Sequence, residues 1–547
     1  MFAPVSGRHG VAATLWALES AFASFSQKKT LAIFVAGLLP LVVRALLLPI
    51  LPVPRPAIQD EFSYLLASDT FASGRLANPT PPLAEHFETM QELIRPVYAS
   101  KYPPLSGLVM AAGQKLTGQP WVGVWLSMGL LCGALCWALQ GWLPAVWALA
   151  GSMIAVLHIG IVSYWTEGYW GGACAAIGGA LLIGAVPRLV ERPRASMAVT
   201  FAAGLAILAN TRPFEGLVFA VVCSAWLVLE WVRTKASSSL LLRRAILPMA
   251  LLLIPVGVWM GYYNYRVSGH ALELPYVAHD SQYALREPVM WQTHDRPAPI
   301  YSNAFLREFW ESDRDAKREA QHQVLTHLWD PLVLVGFLIG WPLAAFIGVS
   351  ARTLWSDPVA KRAAVLAVLA YVGPALDTRV YPHYAAAETV LVYILAACGL
   401  RALRNAWPGT DGPYLMWAAV VVFALPTVLG MLTPANRCFI GAAEYLDARH
   451  AAIEEQLENQ PGEHLVLVRY GPVMMAAVRG HKNFQELVYN HADIDASKVV
   501  WARSLGPDKD EELIRHYPNR EVWMVEQDAG VTLSRGFRYS PVLQATK

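Results

Sequence analysis

The sequence predicts an all-α polytopic membrane protein of about 11 transmembrane helices, followed by a small C-terminal α/β domain on the extracytoplasmic side. Three observations predict it. Of the 547 residues, 55% are hydrophobic and only 15% charged, against roughly 25% charged in soluble domains, and mean hydropathy is +0.36. Apolar stretches of about 18–22 residues recur, each long enough to cross about 30 Å of hydrocarbon. Beyond about residue 435 the pattern changes to charged and alternating segments. The division is therefore 1–435 for the membrane domain and 436–547 for the tail. A net charge of +2 gives no basic footprint for nucleic acid.

In chain order, spans are expected near 31–52, 121–139, 143–163, 170–187, 197–211, 214–232, 245–264, 332–349, 361–377, 383–400 and 414–432. Orientation follows from the bias of Lys and Arg toward cytoplasmic loops. With a cytoplasmic N-terminus, the basic connections fall on one side: Lys28-Lys29, Arg188/Arg192/Arg194, Arg233/Lys235/Arg243/Arg244, Arg352/Lys361/Arg362 and Arg401/Arg404. The other side receives the long loops 53–120 and 265–331, short turns near 164–169 and 211–213, and the tail. Residues 1–28 lack an apolar core followed by a small-residue cleavage site, so no cleavable signal peptide is expected. Cys132, Cys136, Cys174, Cys223 and Cys398 fall inside apolar runs and read as small buried hydrophobes, with Cys438 the sixth.

In the tail, HLVLVRY (464–470) and EVWMVEQ (521–527) read as strands, 440–460 and PDKDEELIRHY as helices. It has no Gly-rich phosphate loop and no nucleophile elbow, which favours a cap or docking module.

Ionisable groups at a membrane boundary are costly unless paired or used. QDEFSY (59–64) places Asp60 and Glu61 just after the first span. Adjacent carboxylates repel each other, which raises one pKa unless a cation or substrate offsets it. The run 83–107 adds Glu85, His86, Glu88, Lys101 and Pro103-Pro104; SYWTEGYWGG adds Tyr164, Trp165, Glu167, Tyr169 and Trp170. NTRPFEG adds Arg212 and Glu215, YYNYR adds Asn264 and Arg266, and DTRVYPHYA adds Arg379, His383 and Tyr384. Plainer readings stand beside these. Arginines at helix ends snorkel, Arg212 can neutralise Glu215 one turn on, and the aromatics fit an interfacial belt.

The parts assemble into a transfer reaction. A carboxylate takes the proton of an attacking hydroxyl or amine. Lys101, Arg212, Arg266 and Arg379, with Arg44 in the outer part of the first span, hold a phosphate as it leaves. Tyr164, Trp165, Tyr169 and Trp170 suit the faces of a sugar ring, with Glu85, Glu88, Glu167, His383 and Tyr384 on the sugar or acceptor side.

DEFSYLLASDTFASGRL after the first span, then KYPPLSGLVMAAGQKLTG, resembles the GT-C membrane glycosyltransferases. The nearest resemblance is to bacterial relatives of protein O-mannosyltransferase and lipid A aminoarabinose transferase, over roughly residues 30–432. The resemblance implies that Asp60 is the catalytic carboxylate, with Glu61 beside it, and that Lys101 before Pro103-Pro104 lies near the donor phosphate. This chain departs from the family's Lys-Pro-Pro by inserting Tyr102, and it has Ser100 where some relatives carry Glu. Glu85 and Glu88 are then the candidates for a second acid. The implied donor is a polyprenyl-phosphate sugar in the bilayer, and the acceptor a glycan, lipid or protein of a bacterial envelope, reached from the periplasmic face of the inner membrane. No cofactor is expected, and divalent metal is left open. The alternative is a transporter or flippase of lipid-linked glycans, which calls for charged or broken helices near the bilayer midplane in both halves; here the polar residues gather at one face instead. On the enzyme reading, deletion of 437–547 leaves some chemistry in the membrane part.

Overall fold

The computed structural model describes residues 11–286, 291–292, 294–322, 329–378, 380–407, 411–431, 449–480, 485–528 and 530–535. The chain divides into two compact units. One comprises Met1–Pro54, Trp121–Trp259 and Gln323–Phe439; the other Arg55–Pro120, Met260–His322 and Ile440–Lys547.

The first unit is helical. Among the described residues eight helices of the chain are long and apolar enough to cross a membrane: Lys29–Leu46, Trp121–Leu139, Gly172–Glu191, Pro213–Arg233, Ser238–Ser268, Pro358–Ala375, Thr389–Ala406 and Asp411–Gly430. The three remaining expected spans are the shorter helices Ala145–Gly160 and Ala195–Ala209, and a bent pair, Asp330–Ile339 with Trp341–Val349. This is a multi-pass membrane protein. The unforeseen helix Val11–Ser26 is tied down by Glu19, which pairs with Arg404 at 2.6 Å and accepts from Trp417 Nε1 at 2.9 Å. Small residues let helices approach: a Cβ on Gly37 would lie 3.0 Å from the Gly129 carbonyl oxygen, the close packing on which apolar helices in lipid rely.

The bent pair turns by 103° at Gly340, whose φ of +72° is open to glycine at little cost. A helix broken at membrane depth must have its freed carbonyls satisfied by protein. Tyr393 Oη donates to the Leu338 carbonyl at 2.7 Å, and His158, on a π-helical turn Val156–Gly160, bears on the Gly336 and Phe337 carbonyls.

The second unit gathers the two long loops and the tail. Its sheet runs in the order β4-β3-β5-β6, with β3 His464–Tyr470, β4 Val499–Arg503, β5 Glu521–Gln527 and β6 Val531–Arg535. β3 is parallel to β4 and β5, and β6 closes antiparallel on β5. The expected strands 464–470 and 521–527 are present, and Pro507–His516 and Arg449–Glu458 are helices. The rest of the expected 440–460 helix before Arg449 lies outside the described residues. The sheet shares a core with the first loop: Leu66, Phe87, Ile94 and Tyr98 pack with Leu465, Leu467, Val500 and Met524. The second loop packs Phe305, Leu306 and Trp310 on Met474 and Val478 of the helix Pro472–Arg479.

An ion pair ties the first loop to the tail. Asp69 Oδ2 accepts the Ala492 N–H at 2.8 Å and lies 3.6 Å from His491 Nδ1. Burial alone would raise the Asp69 carboxyl, but His491 and the Ala492 N–H hold it at about 2. Asp69 in turn lifts His491 to about 9. The signs give a pH window. The His491 contribution is complete below its ordinary 6.5 and fades as pH rises through about 9; the Asp69 contribution is complete above 3.8 and fades as pH falls through about 2. Because His491 is 58% exposed, screening limits the effect to about 1 kcal/mol. Thermal unfolding of the wild type against pH is expected to show a plateau between these limits, with His491→Ala flattening the alkaline limb. An unchanged limb would remove this pair from the account.

Candidate active site

The helix Gln59–Ala72 sorts QDEFSY onto three faces. Residues three and four apart share a helix face, so Asp60, Ser63 and Tyr64 point together. Asp60 accepts a short hydrogen bond from the Tyr102 hydroxyl, and the Tyr64 ring stacks on Tyr102 with centroids 4.3 Å apart. Ser63 Oγ donates to the Gln91 carbonyl at 2.6 Å and pairs with Ser100 Oγ at 2.8 Å. Phe62 turns to the tail, stacking on Tyr489 at 4.2 Å; burying such a ring contributes about 1.5–3 kcal/mol. Glu61 turns back, its Oε2 accepting the N–H groups of Ala57 at 2.9 Å and Ile58 at 3.1 Å. It caps the helix that presents Asp60, satisfying donors a helix N-terminus otherwise leaves bare.

A short hairpin delivers the lysine. β1 (Glu92–Leu93) pairs with β2 (Ala99–Ser100), the chain emerges as Lys101-Tyr102, and Pro103-Pro104 opens the helix Pro104–Thr117. Lys101 Nζ sits 5.5 Å from the centroid of the Tyr102 ring. Within electrostatic reach of Lys101 is Asp280, on the helix Pro275–Tyr283. Burial would raise the Asp280 carboxyl, but Lys101, the hydrogen bond from His279 and Lys317 hold it near 2. His279 is fully buried, which lowers it to about 4, so neutral His279 donates from Nδ1 to Asp280 Oδ1 at 3.0 Å. Asp280 and His279 are absent from the sequence-based site. The sequence signal was an Asp in a second loop on the same side, which nothing local connects to Lys101.

Glu85 and Glu88, the candidates for a second acid, are engaged elsewhere. Glu85 pairs with Lys509 at 3.5 Å. Glu88 accepts a short hydrogen bond from Ser302 and lies 3.5 Å from Arg95; burial raises its carboxyl despite both. His86 is buried, with Nδ1 2.7 Å from the Arg503 carbonyl oxygen. Arg266 is exposed and donates to the Tyr262 hydroxyl at 3.0 Å. In the tail, Asp528 accepts the N–H groups of Val473 at 2.6 Å and Met474 at 3.3 Å, so the N-terminus of the helix after β3 already holds the chain's own carboxylate.

The other candidates belong to the helical unit. Tyr164, Trp165 and Tyr169 are buried. Tyr164 Oη is 2.6 Å from His383 Nδ1, and Trp170 stacks on His383 at 5.3 Å. Glu167 forms a two-pronged pair with buried Arg44 at 2.7 and 3.1 Å. Arg44 also donates to the Leu51 carbonyl at 2.9 Å and lies over Trp121. Arg212 stacks on Tyr384 at 4.9 Å. Arg379 lies outside the described residues. The structure thus groups Asp60, Glu61, Glu85, Glu88, Lys101 and Arg266 in one unit and Tyr164, Trp165, Glu167, Tyr169, Arg212, His383 and Tyr384 in the other. Among the described residues no group of three or more His, Cys, Asp or Glu side chains is arranged to hold a metal ion.

This architecture is the GT-C fold. The chain is similar along almost its whole length to ArnT from Cupriavidus metallidurans. The structure of ArnT bound to undecaprenyl phosphate aligns with a TM-score of 0.50 at 14% identity, and the apo structure with 0.51 at 16%. Each alignment covers 94% of this chain and 93% of ArnT. The apo oligosaccharyltransferase of Archaeoglobus fulgidus aligns more loosely, with a TM-score of 0.43 at 10% identity over 91% of this chain and 69% of its own. No protein-family model and no curated relative matches the sequence.

Proposed function

We propose that the chain is an inverting glycosyltransferase that moves one sugar from a polyprenyl-phosphate-linked donor to an envelope acceptor at the periplasmic face of a bacterial inner membrane. One observation carries the reading: a carboxylate, Asp60, and a cation, Lys101, are gathered around a single ring, Tyr102. Asp60 takes the proton of the acceptor hydroxyl or amine as that atom bonds to the anomeric carbon. The bond from that carbon to the phosphate oxygen breaks on the opposite face, and the lipid phosphate leaves against the Lys101 ammonium. Arg266, in the same unit, stands as a further phosphate-holding cation. The fold shared with a protein solved with undecaprenyl phosphate supports a lipid-phosphate donor. The basic connections support a cytoplasmic N-terminus and a periplasmic tail. The transporter alternative asks for broken spans in both halves, and one span is broken among the described residues.

Purified protein with polyprenyl-phosphate sugars and an envelope extract is expected to yield a glycosylated acceptor together with free polyprenyl phosphate. Movement of the lipid across vesicles without such turnover would favour the transporter. Labelling of residues 53–120 from the cytosol would overturn the periplasmic reaction.

A further inference from the structure

The residue that separates Lys101 from Pro103-Pro104 touches both charges of the proposed site. The Tyr102 hydroxyl donates to Asp60 Oδ1. Its ring lies on Tyr64 with an interplanar angle of 12°, and the opposite charge, the Lys101 ammonium, sits over that same ring. Its backbone N–H donates to Ser100 Oγ at 3.1 Å, and Ser100 is held in turn by Ser63. Stacking, backbone and hydroxyl therefore fix the ring from separate directions. A phenol bound to one carboxylate oxygen leaves the other to receive a proton. An aromatic face under an ammonium restrains it without neutralising it.

We infer that Tyr102 is a positioning residue that couples the two halves of the transfer site: its hydroxyl orients Asp60, and its ring holds the Lys101 ammonium for a lipid phosphate. This rests on the glycosyl-transfer reading for the identity of the ligand, but not for the two contacts. Tyr102→Phe removes the first function and keeps the second. Tyr102→Leu removes both.

The test uses the full-length chain in nanodiscs, with two readouts. Carbodiimide coupling to glycine ethyl ester, followed by peptide mass spectrometry, reports the reactivity of Asp60, with Glu61 in the same peptide as control. Titration with undecaprenyl phosphate reports the phosphate site. With its hydroxyl donor gone, Asp60 in Tyr102→Phe is expected to label about threefold faster or more, while Glu61 labels as before and affinity stays within about twofold of wild type. Tyr102→Leu is expected to label as fast and to bind undecaprenyl phosphate about two- to fivefold more weakly. If Tyr102→Leu fails to fold, the split between labelling and binding in Tyr102→Phe decides. Wild type that binds no undecaprenyl phosphate overturns the donor reading and leaves the labelling to judge the Asp60 contact. Wild type that binds, with one affinity and one labelling rate across all three proteins, overturns the coupling alone.

Discussion

Asp60→Asn is expected to lower turnover by about 10²–10⁴, the usual contribution of a positioned general base, while undecaprenyl phosphate affinity stays within about twofold of wild type. The substitution keeps shape: the amide oxygen still accepts from Tyr102, and the stack of Tyr64 on Tyr102 is untouched. What goes is the ability to take a proton. Glu61 cannot take over, since its carboxylate is committed to the N–H groups of Ala57 and Ile58. Steady-state kinetics with a titrated donor would separate the two effects. Wild-type turnover in this variant would remove Asp60 from the mechanism.

Lys101→Ala is expected to act on binding first. A charge-assisted contact to a phosphate is worth about 1.5–3 kcal/mol, so affinity for undecaprenyl phosphate falls about 10- to 100-fold, with a matching rise in the apparent KM. Part of the loss has a second origin. Lys101 is among the groups that keep Asp280 ionised, and without it a carboxylate is left facing an anionic ligand. Lys101→Ala combined with Asp280→Asn should therefore recover some of the affinity that the single change loses. Unchanged affinity in Lys101→Ala would mean that the inserted Tyr102 has carried the lysine out of reach of the phosphate.

Much of the fold was legible because span length is a hydrocarbon-thickness requirement that any apolar run displays. The break at Gly340 was not, since LVLVGFLIGWPLAAF reads as one apolar run; the groups that satisfy it, Tyr393 and His158, come from distant helices. Strands β3 and β5 showed as apolar runs bounded by polar residues. β4 is five residues, all buried, too short to separate from a helical segment by period. At the site, the sequence shows Asp60 and Glu61 only as adjacent, repelling carboxylates; the folded helix turns Glu61 back onto the Ala57 and Ile58 N–H groups and leaves Asp60 on the face of Ser63 and Tyr64. The second acid was sought in Glu85 and Glu88 because they lie near Lys101 in sequence. Asp280 reaches Lys101 from the other long loop, and that pairing exists only in the folded chain. Tyr102 looked like an interruption of a motif, because a sequence alone gives no sign that a phenol and a ring face are both used.

The stacking of Phe62 on Tyr489 sets a schedule for biogenesis. The ribosome releases the carboxylate-bearing helix early and its ring partner hundreds of residues later, a delay of roughly 20–80 s at common elongation rates. Throughout that interval the loop waits outside its final packing, a substrate for proteases and chaperones. A chain that stops at residue 436 never receives Tyr489, Ala492 or Arg503, so Phe62, Asp69 and His86 lose these tail contacts. The tail is thus the last stone of the arch, and truncation is expected to shorten the lifetime of the early loop, where deletion of a detachable module would leave it intact.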